Sequence, residues 1–142
     1  MSGRKRLYTK ILKKAIATAY AGACSHVITS RSYSHHCAVI IHGGNIISVG
    51  QNAHGIHAEA AAISNAAGSE IYAIIVLRVY ADGHFGLANS MPCVDCTRLI
   101  KKTGIRHIFY SDENGNIVHR SAETFISDFV TLKNRMLDKV IQ

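Results

Sequence analysis

Pro92-Cys93-Val94-Asp95-Cys96, read with His57-Ala58-Glu59, decides how this chain is to be understood. The first stretch sets two thiols three residues apart. The second sets an imidazole beside a carboxylate. Proline is favoured in the first turn of a helix, and the residues from Pro92 to Thr103 read as one. Lys101 and Lys102 fall in its last turn and Gly104 caps it. Cys93 and Cys96 then share one face. They also lie where unpaired N–H groups and the positive dipole end favour thiolates. His57 opens a second helix, alanine-rich as far as Ala67 and ended by Gly68.

Working outward, apolar residues from Leu7 to Ala21 recur at helical spacing, with Lys10, Lys13, Lys14 and Thr18 on the other side. Gly22 is the expected stop, and Ser25 to Ser34 reads as irregular. Cys37–Ile41 and Ile46–Val49 flank His42-Gly43-Gly44-Asn45, which predicts a β-hairpin. A loop from Gln51 to Ile56 leads to His57. Ile71 to Tyr80 is nearly all apolar, interrupted by Arg78, as in a strand covered on both faces. Ala81 to Ser90 reads as a loop. Ile105–Tyr110 and Asn116–Val118 are further strands about an Asp112–Gly115 turn. Ser121 is an expected N-cap for a last amphipathic helix carrying Phe125, Phe129, Leu132, Met136, Leu137 and Val140.

Strands alternating with helices predict an α/β fold, a three-layer α-β-α sandwich around a mixed sheet of about five strands. The 142 residues suit one domain spanning 1–142. With 48% hydrophobic and 18% charged residues the chain is globular in composition rather than disordered or fibrous. No apolar run approaches the roughly 20 residues of a membrane span, and no signal-peptide core follows Arg4-Lys5-Arg6. A cytoplasmic protein is expected. Cys24 and Cys37 read as small buried hydrophobes, not as a disulfide framework. The net charge of +7 suits an anionic partner, though a solvated lysine face gives the same count.

Two thiolates and one imidazole are borderline-soft ligands that select zinc. Three protein ligands, His57, Cys93 and Cys96, leave the fourth tetrahedral position for water. A C-x-x-C pair alone also fits a redox dithiol or half of a structural zinc site. No second C-x-x-C exists here to complete a zinc ribbon. Of nine histidines, His57 alone has Glu two positions on and heads an apolar helix.

At these residues the chain resembles the zinc-dependent cytidine and deoxycytidylate deaminase superfamily, closest to its deoxycytidylate deaminase-like branch. Its H-x-E and P-C-x-x-C signatures occur here in the family's order. Gly50-Gln51-Asn52 is similar to the family's Gly-x-Asn, and Gly104-Ile105 with Ile108–Ser111 to the stretch after its metal helix. The resemblance implies that Zn2+ activates a water, that Glu59 moves protons to the ring nitrogen and departing amine, and that Asn52 contacts the sugar. It also implies a homo-oligomer.

A free cytosine nucleoside or nucleotide is the expected substrate, a dCMP-like one favoured, with Arg31, His35 and His36 as candidate phosphate contacts. A deaminase acting on a base within RNA or single-stranded DNA is the alternative. It would need a basic groove and stacking aromatics, and Lys10, Lys13, Lys14 with Arg4–Arg6 offer the basic face. A catalytically silent zinc-binding module is the third reading. The carboxylate of Glu59 argues against it, because such a module has no chemical need for it.

Overall fold

The computed structural model describes residues 3–30 and 34–127. A long helix, α1 (Gly3–Thr29), precedes the hairpin β1 (His35–His42) and β2 (Asn45–Gln51). Then come α2 (Ala58–Asn65), β3 (Ala73–Val79), the two-residue β4 (Leu87–Ala88), α3 (Val94–Thr103), β5 (His107–Ser111) and β6 (Ile117–Ser121). The sheet is mixed and six-stranded, ordered β2-β1-β3-β5-β6, with β4 paired to β3. β1 runs antiparallel to both β2 and β3, so β2 and β3 are parallel. β3 and β5 are also parallel. Each of α2 and α3 is therefore a crossover between parallel strands.

Alternation along the strands separates two cores. Ala38, Ile40, Ile74, Val76 and Ile108 point to the side carrying Ala58, Ala62 and Ile100 of α2 and α3. Cys37, Val39, Ile41, Ile75 and Leu77 point to the other side, against Ile11, Ala15, Ala19 and Ala23 of α1. The expected three layers are present. Among the described residues no helix is long and apolar enough to cross a membrane.

Three expectations need correction. Gly22 does not end α1, which continues to Thr29. A Cβ at Gly22 would lie 2.4 Å from Cys37 Sγ, so glycine is there to let the helix press onto β1. The Ala81–Ser90 loop contains β4. Ser121 closes β6 instead of capping a helix; the chain turns after it, the Phe125 N–H bonds Ser121 O at 3.0 Å, and Phe125 is buried in the α2/α3-side core. The remainder of the expected last helix, Phe129 to Val140, lies outside the described residues.

Candidate metal centre and its cleft

A helix that follows a strand starts at that strand's carboxyl end. The first turn of α2 therefore stands beyond the end of β2, and that of α3 beyond the end of β3. β1 runs the other way, so its first residues, His35 and His36, meet them there. The register confirms it: Cys37 pairs with Gln51, and His36 with Arg78. Open α/β sheets place their ligands at this end, and a cleft of about 1640 Å³ opens here.

His57 is the N-cap of α2 and Cys93 the N-cap of α3, both extended in backbone. Cys96 lies one turn into α3, and its N–H donates to Cys93 Sγ at 3.4 Å. His57 Nδ1 stands 3.2 Å from Cys96 Sγ and 3.6 Å from Cys93 Sγ. The three ligand atoms lie within 4.8 Å of one another, the one such group among the described residues. Tetrahedral zinc with ordinary Zn–S and Zn–N bonds holds its ligand atoms roughly 3.5 Å apart. The donor set and its spacing fit that ion, so His57, Cys93 and Cys96 are positioned to bind it.

The electrostatics agree with a metal-binding trio. Cys93 is pulled down to about 4, first by a hydrogen bond from the Cys96 thiol and then by His57, against the effect of burial. Cys96 is pushed up by the Cys93 sulfur and by burial. His57 is raised mainly by its hydrogen bond to Cys93. With no cation, one proton stays on the pair; zinc needs both thiolates, so loading releases it.

Glu59 lies on the first turn of α2 and is 4% exposed. Burial raises its carboxyl, which also interacts with the Cys96 thiol. Three contacts fix α2 on the sheet beneath it, one of them from Asn65 Nδ2 to Val49 O at 3.0 Å. Gly50 faces Ala62, where a Cβ would come 2.4 Å from the Ala62 backbone nitrogen. Ser48 Oγ donates to Ala62 O at 2.7 Å. The cysteine segment is anchored separately. Buried Ser90 Oγ donates to Val76 O at 2.7 Å and accepts from the Ser111 N–H at 2.8 Å. Ser127 Oγ donates to Pro92 O at 2.6 Å.

Asn52 also lines the cleft. Its Oδ1 accepts from the His36 N–H at 2.8 Å and its Nδ2 donates to Ser34 O at 2.7 Å, tying the loop before α2 to the start of β1. Behind it, His26 Nε2 donates to Asn52 O at 2.6 Å. With both rings neutral, His26 Nδ1 must accept from His35 Nδ1–H, 2.7 Å away. Of the candidate phosphate contacts, His36 lines the cleft, His35 turns to His26 instead, and Arg31 lies outside the described residues. The reading by sequence missed His26, Ser90 and Arg78. A lone arginine in an apolar strand was the available signal for the last.

The family signature described as the cytidine and deoxycytidylate deaminase zinc-binding region matches residues 7–112. This chain belongs to the cytidine and deoxycytidylate deaminases. The matched zinc-binding region contains His57, Cys93 and Cys96, the group positioned to bind a metal, and membership makes the chain a deaminase, a hydrolase acting on cytosine. Among solved structures, the chain is similar to the apo crystal structure of dCMP deaminase from the cyanophage S-TIM5. Identity is 19%, over 68% of this chain and 82% of that one, with a TM-score of 0.48. The structure of that enzyme in complex with dCMP and dUMP gives 18%, 72%, 82% and 0.49. No match was found among curated protein sequences.

Proposed function

We propose that the protein, as a single catalytic domain, deaminates a free cytosine nucleotide of the dCMP type to its uracil counterpart and ammonia. One observation carries this reading: a buried carboxylate, Glu59, stands beside a His-Cys-Cys zinc set at the floor of an open cleft. His57, Cys93 and Cys96 would hold zinc, which when bound would supply an acidified water at neutral pH. Glu59 accepts the proton of that water. As the oxygen of that water bonds to C4, Glu59 passes the proton to the ring nitrogen; the second proton of the same oxygen then goes through Glu59 to the exocyclic amine, so the C4–N bond breaks, ammonia leaves and a carbonyl remains. Asn52 holds the loop that would meet the sugar.

The charge distribution supports a free nucleotide over a polynucleotide. Lys10, Lys13 and Lys14 are exposed on α1, which covers the opposite face of the sheet. Among the described residues lining the cleft, Arg78 is the one Lys or Arg. A strand of nucleic acid needs a track of cations along its backbone, whereas a single phosphate needs one anchor. Exposed Ile28, Ile56 and Ile126 support self-association; a monomer in sedimentation velocity at working concentration would argue against it.

The test is zinc analysis with an ultraviolet deamination assay on deoxycytidine, dCMP, dCTP, adenosine and single-stranded oligonucleotides. We expect about one zinc per chain and turnover of dCMP. Glu59→Gln should keep zinc and lose at least about 100-fold in kcat. A zinc-loaded protein that deaminates none of these substrates would overturn the proposal.

A further inference from the structure

Arg78 is the charge that breaks an otherwise apolar strand. The register puts it across from His36 on one side and Ala88 on the other. It shares its face with Ile74 and Val76, which pack beneath α2 and α3. One rung beyond that core, it lies in the floor of the cleft, half-buried.

Among the described residues its charge has no ion-pair partner. The ion pairs among the described residues are His42–Glu70 and Arg98–Asp95, and neither involves Arg78. Its one hydrogen bond among the described residues, from Nη1 to Asn89 O, is 3.4 Å long, beyond the usual N–H···O range. Five guanidinium donors in a planar fork are thus left with little to bind. Asn89 lies just before the Pro92-Cys93 turn, so the fork opens beside the metal helix. His36, its neighbour across the strand, is driven down to about 3 by burial and then by the charge of Arg78. It stays neutral and leaves Arg78 as the fixed cation among the described residues of this wall. An arginine kept only for packing would snorkel its head to water and play no part in ligand choice.

We infer that Arg78 is the phosphate anchor of this cleft: its guanidinium binds the monoester of a nucleoside monophosphate and so selects nucleotide over nucleoside. The inference rests on the free-nucleotide reading above and deepens it. Guanidinium suits the role because its fork matches two phosphate oxygens at once and a lysine does not.

The experiment uses the zinc-loaded full chain as wild type, Arg78→Met and Arg78→Lys. For each, kcat/KM is measured on dCMP and on deoxycytidine, with calorimetric binding of dCMP and deoxycytidine in parallel. Zinc content and thermal melting confirm that the variants are folded. The preference for dCMP over deoxycytidine should fall by about 10- to 100-fold in Arg78→Met, the range of a charge-assisted contact. Arg78→Lys should retain part of it. If both substrates lose equally, so that the ratio stands, Arg78 reads base or sugar and the inference is overturned. An unchanged ratio in both variants overturns it too. If wild type binds dCMP through Arg78 without deaminating it, the deamination proposal falls and the anchor stands. If wild type does not bind dCMP, both fall.

Discussion

Single residues in and around the trio positioned to bind a metal carry unequal burdens. Cys93 and Cys96 each answer to the other and to His57, so no substitution among them is mild. Thr97, next along α3, is different. Its Oγ1 is buried and has no hydrogen-bond partner among the described residues. Burying an unpaired hydroxyl costs about 1–3 kcal/mol. Thr97→Val keeps the branched shape and removes that atom. We expect the variant to be at least as stable as wild type, with zinc content unchanged, by urea unfolding. A loss of more than about 1 kcal/mol would mean that the hydroxyl has a partner in solution.

His36 makes a second prediction at this scale. Its pKa falls from 6.5 to about 3 on folding, chiefly through burial. The unfolded chain therefore takes up the proton first as pH drops. The stabilising difference is complete above pH 6.5 and is lost progressively from there towards pH 3. Burial lowers His35 as well, which acts in the same direction. The unfolding midpoint should thus fall between pH 7.5 and 5 more steeply in wild type than in His36→Leu. Metal loss affects both proteins alike, so equal slopes would count against a neutral, buried His36.

Between elements, two glycines decide how closely helices approach the sheet. A Cβ at Gly22 would meet the Cys37 side chain, which can shift a little. One at Gly50 would meet the backbone of Ala62 and Ala58, which cannot move without moving α2. α2 carries His57 at its N-cap and Glu59 in its first turn, so displacement of this helix reaches the metal-binding group. Gly50→Ala should cost at least about 1–3 kcal/mol as an overpacked contact and weaken zinc binding with it. Gly68→Ala, on a turn with nothing within 4 Å, should lose stability through its positive φ alone and leave zinc affinity untouched. Competition against a zinc indicator separates the two.

The same contrast explains what was legible in the sequence. The H-x-E and P-C-x-x-C stretches were readable because each half-site is local: ligand spacing and helix start lie within a few residues. Hairpin, central strand and the capping Gly104, at φ 85°, were readable for the same reason. Gly22 was misread because its meaning is tertiary, set by Cys37 on another element. β4 was missed because two residues carry no periodicity, and its pairing depends on β3. Arg78 looked like a blemish in a strand until the His36 register placed it in the cleft.

At the scale of the molecule, His57, Cys93 and Cys96 bring together two crossovers that the chain connects only through β3 and the segment after it. α2 is held to β2 through Gly50 and Ser48, while the cysteine segment is held to β3 and β5 through Ser90. Across the gap between them stand His57, Cys93, Cys96 and the buried Glu59. A metal there bonds to both helices at once, and it binds the folded chain because the unfolded one has no preformed site. Free zinc at about 100 times its Kd should then add about 2.7 kcal/mol of stability. For a chain near this length that is a rise of roughly 5–10 °C in melting temperature over chelator-treated protein. Cys96→Ser should melt at the same temperature with and without zinc, since it loses the ligand closest to His57. Equal melting of wild type in zinc and in chelator would show that the two helices are held by packing alone, and that the trio does not bind the ion for which its spacing is suited.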